Sequence, residues 1–308
     1  MSNFIISLDF ELKWGMLDAD DTYDKNLFGV KKAIPQILNS FEKYNVKSTW
    51  AIVGLLFNSG LEEFNKYKPN AIANSNSKHS PYNVQLNENN HDLYFAPDLI
   101  NQILGTELQE VATHTYSHFC FDDKKDYIKE FKEDIKAAKR IAADKYNIEL
   151  TSIVFPKNEI NTKYFKILME EGITHYRGNP KNLLYAAGHN KKNKLIRVLR
   201  YLDTFIKISN SDKKINKFKD RLINVQANRM LRPFIKNKFL NNLMLKRIKD
   251  EMFRAAVCKQ DYHLWWHPHN FGINIKENMD NLNVLLAHFD FLRANHGMES
   301  SKMSEINY

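Results

Sequence analysis

The chain has 308 residues, 43% hydrophobic and 26% charged, a composition that builds a buried core and excludes a disordered chain. No run of about 18 apolar residues occurs, which argues against a membrane-spanning helix, and two cysteines, Cys120 and Cys258, are too few for a disulfide framework. The formal charge of +9 is concentrated: from His189 to Arg254 there are 19 Lys/Arg against 5 Asp/Glu, so that segment carries +14 and the rest of the chain −5.

The N-terminus, Met1 to Asp9, has neither a basic leader nor a long apolar stretch, so a signal peptide is not expected and the cytoplasm is the expected location. Phe4–Leu8 reads as a buried strand. Val30, Ile34, Ile37, Leu38 and Phe41 sit at helical spacing within 30–44, and Lys47–Val53 is a β-branched strand stopped by Gly54. Residues 69–95, rich in Asn and Ser, read as a long loop of the kind that caps a substrate site. A short helix over Pro97–Leu104 and a strand over Glu110–Thr113 follow. Asp123–Tyr146 is a charged amphipathic helix with Ile128, Phe131, Ile135 and Ala138 inward. Ser152–Phe155 is a strand, Lys163–Glu171 a helix closed by Gly172, and Ile173–Tyr176 a strand. From Lys217 to Val257 the spacing is mostly helical, so 189–256 is expected as a basic, mostly helical insertion. Tyr262–Trp266 is a strand, Lys276–Asn295 the last helix, and 297–308 a polar, frayed tail. The alternation predicts one α/β domain over 1–308 with a parallel sheet, open or closed.

Polar residues fall where these strands end. Asp9 and Glu11 close the first, His114 and His118 follow the third, Pro156-Lys157-Asn158 the fourth, and His267 follows Tyr262–Trp266. Sites in parallel α/β folds form at strand carboxyl ends, so four segments aim at one face. His114 and His118, four apart, would share one side of a helical turn and reach one metal ion. Alone, the pair is more often accidental than not, and the carboxylates alone could cap loops. Together, one carboxylate and two imidazoles make a three-donor site with an open position, leaving the second carboxylate as a base. An imidazole from His267-Pro268-His269 can protonate a leaving amine near neutral pH, with either ring eligible.

The motifs Ser7-Leu8-Asp9-Phe10-Glu11, His114-Thr115-Tyr116-Ser117-His118 and Leu264-Trp265-Trp266-His267 resemble the polysaccharide deacetylase family (NodB homology, carbohydrate esterase family 4). The resemblance covers roughly residues 3–180 and 258–292, with Asp-x-Glu replacing the usual adjacent aspartates, as in a minority branch. It implies a distorted (β/α) barrel of about seven parallel strands. It implies Asp9 as base, His267 as acid, and Glu11, His114 and His118 as ligands to a divalent metal. Zinc suits such donors best, with Co2+, Ni2+ or Fe2+ as alternatives. The family's usual Arg-Pro third motif is here Phe155-Pro156-Lys157-Asn158, with the arginine absent from its slot, so Lys157 or Arg177 is expected to orient the base. An Asp-x-x-Asp-Trp motif that tunes the acid is absent. Asn158, Trp266 and His269 complete the expected substrate-binding and supporting set.

The resemblance implies hydrolysis of an N-acyl group, first an N-acetyl, on an amino sugar used for surface polysaccharide. A deformylase or other amide hydrolase is the alternative, and a non-catalytic sugar-binding protein the alternative of another class. The basic segment, around Lys213-Lys214 or Arg229–Arg232, suggests a nucleotide-linked or lipid-diphosphate-linked sugar, or contact with an anionic membrane. Nucleic acid is not expected, because basic and aromatic residues do not interleave there.

Overall fold

Among the described residues, nine strands form one sheet with every pairing parallel. The computed structural model describes residues 2–18, 20–73, 80–121, 125–180, 184–185, 194–209 and 222–307. The strands are β1 Ser2–Phe10, β2 Ser48–Ile52, β3 Gln109–Thr113, β4 Ser152–Ile153, β5 His175–Gly178, β6 Ile223–Gln226, β7 Arg229–Met230, β8 Tyr262–Trp266 and β9 Met298–Ser301. Their order is β6-β5-β4-β3-β2-β1-β8-β7, with β9 beside the start of β1. The edges β6 and β7 are separated by Ala227 and Asn228 alone. The Ala227 N–H donates to the Gly178 carbonyl on β5 (2.8 Å), the Asn228 N–H to the His263 carbonyl on β8 (2.9 Å). One interrupted strand therefore pairs with both ends of the sheet and curls it into a distorted barrel. Counting β6 and β7 as that strand, seven strands make the ring, and β9 is an addition.

Helices wrap the sheet: α1 Asp24–Lys43, α2 Leu61–Lys66, α3 His91–Tyr94, α4 Pro97–Gly105, α5 Ile128–Tyr146, α6 Phe165–Glu170, α7 Lys194–Leu202, α8 Lys238–Val257 and α9 Ile275–His296. Strand β1 is buried along nearly its whole length, as a parallel strand covered on both faces must be. The predicted stripe of α1 (Val30, Ile34, Ile37, Leu38, Phe41) is buried, in one core cluster with Phe4, Trp50, Trp266 and Phe289. Each such side chain contributes about 1.5–3 kcal/mol. Gly172 follows α6 at φ 79°, and Gly297 ends α9 at φ 63° with its N–H on the Arg293 and Leu292 carbonyls, the left-handed stop that glycine supplies cheaply.

Several expectations are corrected. Helix α5 begins at Ile128, which is 48% exposed and not inward; residues 122–124 lie outside the described residues. Of the helical spacing expected over Lys217–Val257, 217–221 lie outside the described residues, β6 and β7 take 223–226 and 229–230 to close the barrel, and the helix runs from Lys238. Lys213 and Lys214 lie outside the described residues. The tail is docked: β9 pairs with β1, and Met303 and Ile306 are buried with Ile5, Ala51 and Ala112. Within 69–95 a 3-10 turn (Pro81–Asn83) and α3 form, and Trp14 Nε1 donates to the Tyr94 carbonyl at 2.6 Å. The basic segment is stitched inward by a buried ion cluster: Arg229 bonds Glu251 at 2.8 and 2.9 Å, and Arg247 pairs with Asp203 at 3.1 Å.

Candidate active site

Strand β1 delivers Asp9 from its last turn of pleat, and Glu11 is the first residue to leave the extended conformation (φ −130°, ψ −21°), opening a 3-10 turn at Leu12. A Cβ on Gly15 would lie 2.1 Å from Glu11 Cδ, so only glycine lets the carboxylate lie across this turn. His114 continues β3, its N–H donating to the Ile52 carbonyl on β2 at 2.9 Å. The segment to His118 is no helical turn, contrary to expectation: Thr115 and His118 take φ of 63° and 52°, which brings the two imidazoles to 5.2 Å between centroids. For a β-branched residue that conformation costs about 1–3 kcal/mol. Asp134 of α5 compensates by accepting from the N–H groups of Tyr116 (2.6 Å) and Ser117 (3.2 Å) and from the Ser117 hydroxyl. Burial pushes Asp134 up to about 6 in spite of these donors.

Glu11 Oε2 lies 3.3 Å from His114 Nε2 and 3.2 Å from His118 Nε2, and one donor atom from each residue falls within 4.8 Å of the other two. His114 Nδ1 is 2.8 Å from the Val154 carbonyl, an acceptor only. The proton must therefore sit on Nδ1, and Nε2 presents its lone pair to the site. One carboxylate oxygen and two imidazole nitrogens, that of His114 with its tautomer fixed, are a donor set that fits a divalent ion. Burial opposes the Glu11 charge, but His267, His114 and His118 outweigh it and hold the carboxyl well below its ordinary value. Burial likewise opposes charge on His118, but Cys120 and Glu11 raise it to about 10.

Of the two candidates for the missing arginine, the structure selects Arg177. From β5 its Nη1 and Nη2 donate to Asp9 Oδ1 and Oδ2 at 2.5 and 2.7 Å. Nη2 also reaches Asn158 Oδ1 (2.8 Å), Nη1 the Ser7 hydroxyl (3.1 Å), and the guanidinium lies 4.3 Å over Trp265. Behind them Ser7 Oγ meets His263 Nε2 at 2.8 Å. Asn158 is aimed by two successive left-handed residues after Pro156, Lys157 and Asn158, each at φ 54°. Burial alone would raise Asp9, but Arg177 outweighs it, so the carboxyl sits below the ordinary range and stays ionised at neutral pH.

His267 is the histidine that faces the site. Its side chain is 24% exposed, with Nε2 3.5 Å from Glu11 Oε1 and 3.8 Å from Asp9 Oδ2. His269 is buried behind it, rings stacked at 4.9 Å, and burial together with His267 pushes it down to about 3, so it stays neutral. Trp266 does not reach the site. It is fully buried in the core against Phe41 and Phe271, and its neighbour Trp265 takes the surface role. Two cavities adjoin the centre and share Lys157: one is lined by Trp14, Ser80 and His118, the other by Asn158, Tyr185, Arg200, Arg232 and Trp265.

Sequence reasoning passed over Ser7, Asp134, His263 and Trp265. Ser7 alone left a signal, two residues before Asp9 and hence on the same face of β1.

Residues 16–176 match the family described as polysaccharide deacetylase. That stretch contains His114 and His118; Asp9, Glu11, Arg177 and His267 lie outside it and join the histidines through the sheet. A putative polysaccharide deacetylase from Mycobacterium smegmatis is similar at 12% identity and a TM-score of 0.62, over 99% of this chain and 88% of that one. The Puue allantoinase is similar at 11% and 0.52 over 98% and 87%. A probable polysaccharide deacetylase from Pseudomonas aeruginosa PAO1 is similar at 10% and 0.51, over 98% and 88%. These likenesses show a shared fold. No curated protein matches the chain by sequence.

Proposed function

The chain belongs to the polysaccharide deacetylase family, and from that premise we propose that it removes the N-acetyl group of an amino sugar with a divalent ion, zinc first, held by Glu11, His114 and His118. One arrangement carries this reading: three donor atoms from β1 and the β3 loop converge, and beside them an ionised Asp9 clamped by Arg177 and a half-open His267 face the same space. A structural ion cluster would have no use for an acid and a base on its open side.

The ion, when bound, would polarise the acyl oxygen and lower the pKa of water toward neutrality. Asp9 takes the proton from the attacking water; Arg177 fixes both of its oxygens and so keeps the carboxylate from turning away. His267 Nε2 delivers a proton to the departing nitrogen, with His269 stacked behind to hold the ring's orientation. Lys157, Asn158 and Trp265 shape the adjoining wall.

The test is acetate release from N-acetylated sugars by the zinc-loaded chain, with metal content measured in parallel. His114→Ala should lose both the metal and turnover; a variant that keeps one equivalent of zinc would refute the ligand assignment. Formate release from N-formyl sugars with no acetate release would make the protein a deformylase. Full zinc with no acid released from any sugar would leave a binding protein.

The finer reading is that the enzyme works in the cytoplasm on a precursor of surface polysaccharide, nucleotide-linked or lipid-diphosphate-linked, and touches an anionic membrane. What supports the membrane contact is α7, whose apolar residues Leu195, Val198 and Leu202 share one helical side and are 65, 53 and 40% exposed. No helix among the described residues is long and apolar enough to cross a membrane.

A further inference from the structure

Taking the deacetylase reading as given, we infer that the cavity between β5, β7 and α7 is a diphosphate-binding subsite, and that Arg200 and Arg232 are its specificity-determining residues. The cavity is lined by Lys157, Arg200, Arg229 and Arg232, and no acidic residue lines it among the described residues. Arg229 is neutralised by Glu251 and Asp203. Arg200 and Arg232 are not. Each is tethered through Nε alone, Arg232 to the Thr204 hydroxyl at 2.8 Å and Arg200 to the Leu184 carbonyl. Each lies against a tyrosine face, Arg232 at 5.5 Å from Tyr201 and Arg200 at 5.8 Å from Tyr185. Their terminal nitrogens, the pair that grips a phosphate, have no partner among the described residues. Two half-buried guanidiniums without counter-charge are costly unless a ligand supplies one, and burial draws Arg232 below its ordinary value.

The position gives the anion a purpose. Asn158 and Trp265 line this cavity and also touch Arg177, the clamp on Asp9, and Trp265 meets the His267 ring at 5.7 Å. A substrate with its N-acetyl group between Asp9 and His267 would extend its anionic end toward the two arginines. Arginine's planar fork suits phosphate oxygens, and two forks suit a diphosphate. The substrate class is therefore an N-acetylated amino sugar carrying a diphosphate, whether that continues into a nucleoside or a polyprenyl chain.

The experiment has a binding arm and a turnover arm, both on the zinc-loaded full chain. By calorimetry at low salt, inorganic pyrophosphate should bind, and Arg200→Gln and Arg232→Gln should each weaken it roughly tenfold to a hundredfold. Arg232→Lys, which keeps the charge and guards against a folding artefact, should weaken it less. Binding that survives in the double Gln variant but disappears in His114→Ala would place the anion on the metal and overturn the subsite, as would no binding at all. In the turnover arm, kcat/KM for UDP-N-acetylglucosamine and for a polyprenyl-diphosphate N-acetylglucosamine is compared with that for neutral chitotriose. At least one diphosphate substrate should be preferred, the better one identifying the source, and the preference should collapse in the Gln variants. An equal preference in wild type and variants overturns the subsite. Pyrophosphate binding that depends on the arginines, with no acetate released from any sugar, would leave the subsite standing and remove the deacetylase reading.

Discussion

At the scale of single residues, the buried Arg177–Asp9 pair links the proposed chemistry to stability. Removing one partner of a buried ion pair costs about 3–5 kcal/mol, so Arg177→Met should be destabilised by that order at pH 7. The pH dependence fixes the sign. Asp9 sits below its unfolded value, so the pair's contribution is present at neutral pH and is lost as pH falls through the lowered pKa. Without Arg177, burial is opposed only by His114 and His267 and Asp9 moves upward, so the variant's penalty is largest when the carboxylate is ionised and fades in acid. Urea unfolding of the metal-free proteins at pH 7 and pH 4 should show the gap between them narrowing at pH 4; an equal gap at both would dissociate Asp9 from Arg177. Asp9→Asn should keep zinc and lose rate. Sequence named both Lys157 and Arg177 for this duty and could not choose, because the choice depends on where β5 stands relative to β1 and on the left-handed backbone at Lys157, which no residue pattern announces. It named Trp266 over Trp265 for a related reason: two tryptophans in succession point to opposite faces of β8, and only the packed barrel says which face is the core.

At the scale of elements, the strands ending in polar residues were legible, because each apolar run stops at its chemistry. The tail was not. Its sequence offers few anchors, and what buries Met303 and Ile306 are Ile5, Ala51 and Ala112 from strands made far earlier in the chain. The Met303 N–H donates to the Thr49 hydroxyl at 2.9 Å, and Lys47 pairs with Glu305 at 2.9 Å. Met303→Ala should therefore cost about 2–5 kcal/mol by chemical denaturation; a loss below about 0.5 kcal/mol, the range of surface substitutions, would mean the tail does not brace the sheet. The basic segment misled in the other direction. Its helical spacing is real in α8, but β6 and β7 are too short to show alternation, and their assignment as strands comes from the two sheet edges that meet there.

At the scale of the whole molecule, charge and apolar surface sit on the same side as the candidate subsite. Helix α7 turns Leu195, Val198 and Leu202 outward, with exposed Lys194 at its start and exposed Lys207 past its end, while Arg200 lines the cavity. Amphipathic helices of this kind bind bilayers through buried apolar area plus attraction to anionic lipid. Co-sedimentation with phosphatidylglycerol vesicles at low salt should retain the protein, neutral phosphatidylcholine vesicles should retain less, and Leu195→Asp with Val198→Asp should release it. No retention on anionic vesicles removes the membrane reading.

The placement of β1 also sets a schedule for the nascent chain. It precedes every other described strand, yet Phe4 pairs with Tyr262 and Ser2 with Met298, so one of its sides stays open until β8 and β9 have been synthesised. Glu11, His114 and His118 are all made well before that side closes, whereas His267 arrives with the closing strand. An unpaired apolar strand edge held open for so long invites wrong partners, and the strand that closes it is the one that carries His267 to the site.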